Sequence, residues 1–253
     1  MRLPFIFRVL ICALSTFLPC GAATVDELMK QGDVYDRKFD PKEALKSYLP
    51  AEQLAPDNVE LLLRIARQYR HQMADSATAP EKIRLSAVSL DYARRAVALA
   101  PGNSEAHLSI AIGYAKSLEL FSSKEKMNAL RHVKTCTDKA LALDSNNDLA
   151  WYILGRWHEK VAALSTLKRK VAEFAFGGLP KATNEDAVKC FQKAISINPN
   201  RSPYFIDLGM TYAAMGKHVD ARKHIEKGLA MPSQGKDDPE TKKRGRDLLA
   251  TLK

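Results

Sequence analysis

Residues 25–58 read VDELMKQGDVYDRKFDPKEALKSYLPAEQLAPDN, and the spacing within this stretch determines the fold. In each half, apolar and small residues recur at intervals of four and then three, namely Leu28, Gly32 and Tyr35, followed by Ala44, Tyr48 and Ala51. Side chains at these intervals share one face of an α-helix. Because Asp40-Pro41 separates the two halves and Pro56 follows the second, the stretch predicts two amphipathic helices joined by a short turn.

The same spacing recurs four more times, which divides the chain into repeats at about 25–58, 59–103, 104–147, 148–201 and 202–235. In each repeat a first helix carries a large residue, a small residue and an aromatic slot, and a second helix carries alanines around a large residue. This pattern resembles the tetratricopeptide repeat, a helix–turn–helix unit of 34 residues. The resemblance implies an all-α, right-handed superhelix of about five stacked repeats.

Three of the repeats are longer than this unit, with 45, 44 and 54 residues at 59–103, 104–147 and 148–201. The additional residues fall between the two helices and keep a helical period. We therefore expect them to lengthen the first helices and to form a shoulder along one edge of the array. A polar turn precedes a final helix at 239–252, which should cap the open end of a repeat domain spanning residues 24–253.

Residues 1–23 have the organisation of a secretory signal peptide. Arg2 and Arg8 give a positive start, residues 9–18 form an uncharged and mostly apolar run, and small residues follow at 20–23. Ten residues make about 15 Å of helix, half of a hydrocarbon core of about 30 Å. We therefore predict cleavage and export, to the periplasm or outside the cell. The alternative is an N-terminal segment that is retained as a membrane anchor.

The composition is that of a folded soluble protein, with 46% hydrophobic residues and 39 Lys+Arg against 29 Asp+Glu, a formal charge of +10. These fractions exclude a disordered chain or a polytopic membrane protein. The sequence has no zinc-protease, nucleophile-elbow, phosphate-loop or dinucleotide motif, and no two of its six histidines are three or four residues apart. We therefore predict no metal, no cofactor and no catalysis. Separately, we predict that Cys136 and Cys190 are free thiols.

A binding groove can be predicted from the repeat register. In tetratricopeptide folds the first helices line the concave face, so the inward positions can be assigned by number. They are Leu63, Arg67, Arg70, Leu108, Ile112, Lys116, Tyr152, Arg156, Lys160, Ile206 and Met210. This apolar and basic lining suits an extended or helical peptide with apolar anchors and an acidic group. The alternative is that Arg67 and Arg156 pair internally, with acids such as Glu60 and Glu159.

A second basic feature combines residues 168–170 with five cations near the C-terminus: Lys236, Lys242, Lys243, Arg244 and Arg246. A solvated face is the simplest interpretation. Peripheral contact with an anionic membrane or an acidic protein is the functional one. Nucleic acid is excluded as a partner because no aromatic residues interleave the charges for base stacking. The oligomeric state is left open by the sequence.

Residues 154–191 carry the most specific pattern in the chain. Its parts are Gly155-x-Trp157, a basic stretch at 167–172, the turn Phe176-Gly177-Gly178-Leu179-Pro180, and Ala187-x-x-x-Phe191. Together they resemble the regulator of microtubule dynamics family, and the resemblance extends over nearly all of residues 25–253. It implies a non-catalytic protein–protein interaction adaptor or scaffold. The alternative it implies is a cytoskeletal or membrane-tethered adaptor that keeps its N-terminal anchor.

Overall fold

The computed structural model of the protein describes residues 23–165, 170, 173–174 and 177–252. Within these residues the chain forms eleven α-helices and no strand. A 3₁₀ turn, Leu118–Leu120, continues the fifth helix. In chain order the helices are α1 Val25–Asp36, α2 Pro41–Leu54, α3 Val59–Asp75, α4 Ala79–Leu99, α5 Ser104–Ser117, α6 Ser123–Leu143, α7 Asp148–Ala162, α8 Asn184–Ile197, α9 Ser202–Ala214, α10 His218–Ala230 and α11 Asp238–Leu249.

Ten of these helices pair into five hairpins, in which each odd-numbered first helix packs mainly on the second helix that follows it. Each second helix then packs on the next first helix, so the hairpins stack in chain order. The last helix, α11, packs on α9 and α10 and covers the end of the stack. The predicted all-α solenoid with a C-terminal capping helix is therefore confirmed.

Close approach of the two helices in a hairpin depends on the small residue of the repeat pattern. A Cβ atom on Gly32 would lie 2.3 Å from Cε1 of Tyr48, and one on Gly155 would lie 2.6 Å from Cε1 of Phe191. Real Cβ atoms do not approach other heavy atoms this closely, so both positions exclude a side chain. The aromatic ring of the second helix thus fills the space that glycine leaves on the first.

Asparagine side chains set the turns between hairpins. Asn58, Asn103 and Asn147 each precede a first helix and accept a hydrogen bond from the backbone N–H three residues later. An N-cap of this kind satisfies one of the free N–H groups at a helix start. Within the first hairpin Asp40 caps α2 in the same way, and Pro41 occupies its first position, as the sequence predicts.

In the second and third repeats the additional residues fall mostly on the second helices. In the fourth repeat they lie between α7 and α8, at residues 163–183, and are only partly within the described residues. The first helix α3 has 17 residues, but α4 and α6 have 21 each. The predicted lengthening of the first helices is therefore correct for α3 and misplaced for the third repeat. The reason is an early helix start at Ser122, which forms a capping box with Glu125 and so begins α6 soon after the 3₁₀ turn.

Two sequence predictions lie outside the described residues. Residues 1–22, which hold most of the predicted signal peptide, and residues 168–169 of the basic stretch are among those not described, so both features stay predictions. None of the helices in the described ranges combines the length and the apolar content needed to cross a membrane. Cys136 and Cys190 are free thiols, as predicted.

Candidate interaction groove

The first helices form the inner layer of the array. Successive first helices contact each other directly, α3 with α5, α5 with α7 and α7 with α9. Successive second helices within the described residues make fewer such contacts. Helices on the inside of a curved stack are closer together than those on the outside, so the first helices line the concave side. The predicted groove residues all lie on this layer.

At the N-terminal end of the layer, two aspartates of α1 bind two arginines of α3. Asp33 accepts hydrogen bonds from Arg64 Nε at 2.8 Å and from the Tyr48 hydroxyl at 2.6 Å. Burial alone would raise the pKa of Asp33, but these two hydrogen bonds outweigh it, and the pKa is lowered. Asp36 pairs with Arg67. The predicted groove residue Arg67 therefore has an internal partner, and that partner is Asp36 rather than Glu60.

In the middle of the layer, a buried arginine lacks an acidic partner. Arg70 is 7% exposed, and its Nη1 donates to Ser109 Oγ of α5 at 2.9 Å. No carboxylate among the described residues lies within 4.0 Å of its guanidinium. Burial, and then the charge of Arg67, lower the pKa of Arg70 to about 10, so it remains charged at neutral pH. Lys116, two turns along α5, pairs with Asp237.

Toward the C-terminal end, a fully buried aspartate joins three helices. Asp207 of α9 is 0% exposed and accepts hydrogen bonds from the Tyr152 hydroxyl at 2.7 Å, from Arg156 Nη1 at 2.8 Å and from Arg244 Nη2 at 3.1 Å. Arg156 also lies 3.4 Å from Glu159. Two cations offset the cost of burying one carboxylate, so this network is built into the fold.

The last groove cation, Lys160, is at the surface. Its Nζ lies 2.7 Å from Oε1 of Glu119 in the 3₁₀ turn, and both side chains are more than half exposed. Polar contacts therefore join each first helix to the next along the layer, from α1 to α9. Some of these contacts are buried and structural, whereas those of Arg67, Lys116 and Lys160 are open to solvent on at least one side.

The apolar groove positions are less accessible than the sequence predicts. Leu108 and Ile206 are fully buried. Ile206 lies beneath Gly228 of α10 and Gly245 of α11, where added Cβ atoms would lie within 2.6 and 3.0 Å of it. These two residues support the layer from within, because the capping helix and the neighbouring hairpins cover them. Leu63, Ile112 and Met210 are half-buried, and their place in the lining stays a prediction.

The second basic feature is divided among separate contacts. Lys236 pairs with Asp75, Lys243 with Asp247, and Arg244 with Asp207. Lys242 donates to the Met231 carbonyl. Four of the five C-terminal cations are thus engaged by the protein itself. This weakens the interpretation of that end as a continuous basic surface.

Sequence reasoning missed the acids that complete these contacts. Asp207 could have been found, because it is the only charged residue in the apolar helix α9, and a single charge in such a helix signals a buried partner. Asp36, Glu119 and Asp237 give no comparable signal, because each has at least one other charged residue within three positions in the sequence.

Glu159 should make stability depend on pH. Burial, together with the Asp207 carboxylate, raises the pKa of Glu159 from 4.5 to about 7. Between pH 4.5 and pH 7 the folded protein holds a proton on Glu159 that the unfolded chain has lost. The folded state is therefore favoured by this group below pH 4.5, and that contribution to stability is lost as pH rises through 7. The side chain is 24% exposed, and solvent reduces the effect. We expect Glu159→Gln to be more stable than wild type by about 1–2 kcal/mol at pH 8 and equal to it near pH 4.5.

Urea denaturation at the two pH values measures this difference. Lower stability of Glu159→Gln at pH 8 would contradict the prediction, since it would mean that Arg156 holds Glu159 in its ionised form.

The family model of regulator of microtubule dynamics protein 1-3 matches residues 22–253. The chain belongs to the regulator of microtubule dynamics family. Regulator of microtubule dynamics protein 1 of Caenorhabditis elegans is 26% identical to it over 206 residues, which is 80% of this chain and 91% of the relative. The mouse protein 1 is 27% identical over 235 residues, 92% of this chain and 76% of the relative.

Other members of the regulator of microtubule dynamics family are longer. Protein 2 of Macaca fascicularis is 29% identical over 200 residues, 78% of this chain, so the match spans about half (48%) of that relative. Among solved structures, the tetratricopeptide protein TTC0263 of Thermus thermophilus superposes with a TM-score of 0.67 at 14% identity, covering 90% of this chain and all of that one. This likeness confirms the tetratricopeptide-like solenoid of the family member described here.

Proposed function

We propose that the protein is a non-catalytic adaptor that binds an acidic peptide or protein segment along the concave face of its first helices. The tetratricopeptide-like fold and the family membership support a protein-interaction scaffold in general. Retained from the sequence prediction are the accessible residues of the lining: the cations Arg67, Lys116 and Lys160, with Leu63, Ile112 and Met210 beside them. Export, with removal of residues 1–23, is part of the proposal.

The observation that carries the proposal is the exposure of these ion pairs. Lys160 and Glu119 are 53% and 70% exposed, and Arg67 is 44% exposed beside Asp36. Ion pairs in contact with water contribute only about 0–1 kcal/mol, so an incoming carboxylate can replace the internal one at little cost. The Arg156 pair is different, because its partner Asp207 is fully buried. A ligand that took Arg156 away would leave a buried carboxylate with one cation fewer, which is costly.

Selection from a random peptide library tests this proposal. The purified protein should enrich peptides that combine Asp or Glu with apolar residues, because the lining is both basic and apolar. The variant Lys116→Gln with Lys160→Gln should lose most of the enrichment. Arg156 is not a suitable position for this test, since its removal would leave Asp207 short of a partner and would confuse lost binding with lost folding.

A matched control is available on the same molecule. Lys189 and Lys46 form exposed pairs with Asp186 and Glu43 on second helices, away from the inner layer. Changing both to Gln removes the same charge, and we expect the enrichment to persist. Equal loss in the two double variants would mean that net charge, rather than the groove, selects the peptides. Enrichment without acidic residues would contradict the proposed ligand.

A second candidate function follows from the relatives' name, which refers to microtubule dynamics. It is a cytoskeletal or membrane-tethered adaptor in which the N-terminal segment stays as an anchor. Family membership supports the cytoskeletal part of this candidate, and the anchor is the part that needs a test. The mass of the N-terminus in the mature protein separates the two, because cleavage near residue 23 removes the anchor and retention of residues 1–23 supports the tether.

A further inference from the structure

Residues 231–237, here called the strap, join α10 to α11 and reach back to the other end of the array. Lys236 Nζ lies 2.9 Å from Oδ2 of Asp75 at the end of α3, and it donates to the Phe39 carbonyl in the turn between α1 and α2 at 3.3 Å. The next residue, Asp237, pairs with Lys116 of α5. The strap therefore contacts the first three hairpins although it follows the fifth.

The carboxylate of Asp237 occupies the basic centre of the groove. Lys116 binds it directly, and the buried guanidinium of Arg70 is close enough for its charge to act on the same carboxylate. Arg70 is buried without a carboxylate within 4.0 Å among the described residues, and its Nη1 donates to the neutral hydroxyl of Ser109. This centre therefore places two cations, Lys116 and Arg70, beside the single carboxylate of Asp237.

The strap is held at its base and loose at Asp237. Asp238 is buried and accepts hydrogen bonds from the backbone N–H groups of Gln234 and Gly235 at 2.8 and 3.0 Å, which fixes the turn. The Asp237 side chain is 49% exposed, and its pair with Lys116 is in contact with water. Rotation of this one side chain is enough to free Lys116, because α11 stays anchored through Arg244.

We propose that Asp237 is a built-in substitute for an aspartate or glutamate side chain of the partner. The partner's carboxylate would take its place on Lys116, in front of Arg70, when an acidic peptide binds. This inference rests on the proposed function, since it names the central subsite of the same groove and the contact that competes for it. It makes Asp237 an autoinhibitory residue and Lys116 the cation that recognises the ligand.

Fluorescence anisotropy with a labelled twelve-residue peptide of alternating Glu and Leu tests the inference, with the matching Gln and Leu peptide as a neutral probe. Removing the competitor in Asp237→Asn should tighten binding of the Glu peptide by about fivefold, the equivalent of about 1 kcal/mol. Lys116→Gln should weaken it in both the wild-type and the Asp237→Asn background. The Gln peptide should bind none of the proteins measurably.

Asp247→Asn is the matched control, because Asp247 is an exposed acid on α11 that pairs with Lys243. It changes net charge by the same amount as Asp237→Asn and should leave affinity within twofold. An equal gain in both variants would overturn the inference. The inference would also be overturned if wild-type binding depended on Lys116 but was not tightened in Asp237→Asn. In that case the proposed peptide-binding function of the groove would be retained. Failure of every variant to bind the Glu peptide would overturn the inference and the proposed function together.

Discussion

Asp207→Ala should lower the free energy of unfolding by about 3–5 kcal/mol, the loss expected when one side of a buried ion pair is removed. The substitution leaves Arg156 and Arg244 without their shared acid, and it removes the acceptor of the Tyr152 hydroxyl. Since the free energy of unfolding of a domain is only about 5–15 kcal/mol, this substitution should remove a large part of it. The measurement is the urea midpoint and slope followed by circular dichroism.

Two further variants make the result specific. Asp247→Ala removes an exposed aspartate of α11 and should cost less than about 0.5 kcal/mol. Adding Arg244→Ala to Asp207→Ala should cost less than the sum of the two single losses, because both act on the same contact. A loss below about 1 kcal/mol for Asp207→Ala, or full additivity of the double variant, would contradict the buried network.

Trp157→Ala should cost a similar amount, about 3–5 kcal/mol, for a different reason. Trp157 is 2% exposed, packs among Leu130, Leu154 and other apolar residues of α6 and α7, and donates from Nε1 to the Leu130 carbonyl at 2.7 Å. Its removal opens a cavity between the third and fourth hairpins and breaks that hydrogen bond. Thermal unfolding followed by circular dichroism measures the loss.

Trp151 provides the comparison within the same helix. It is half-buried, with its Nε1 bonded to the Ser145 carbonyl at 3.0 Å, so Trp151→Ala should cost about 1–2 kcal/mol. Trp157→Phe, which keeps most of the apolar volume, should fall between the two. Equal losses at the two tryptophans would contradict the assignment of Trp157 as the central residue of this core.

The fold was predictable from the sequence because its determinants are local. Gly32 and Tyr48, or Gly155 and Phe191, belong to the same hairpin, so their spacing shows both the two helices and the surface on which they meet. The fifth hairpin repeats this arrangement with Gly209 and Ile225. The start of α6, and hence its length, could also have been predicted from the capping-box residues Ser122 and Glu125.

The groove was only partly predictable, because register gives the direction of a side chain and not its partner. Arg67 and Lys160 lie on the predicted layer, but their acids come from the preceding hairpin. The burial of Ile206 depends on Gly245 of the capping helix, whose path cannot be read from the repeat pattern. The partner of Lys116 is 121 residues away in the sequence, beyond the reach of any local pattern.

The reach of Lys236 has a consequence for how the array unfolds. In an open stack of repeats each unit touches only its neighbours, and either end can fray independently of the other. Here Lys236 contacts Phe39 across 197 residues of sequence, so the first hairpin and the segment before α11 are neighbours in space. Unfolding of either end breaks this contact and so removes a stabilising contact from the other end. The fraying of the two ends is therefore coupled. Hydrogen exchange at the two ends should therefore rise together.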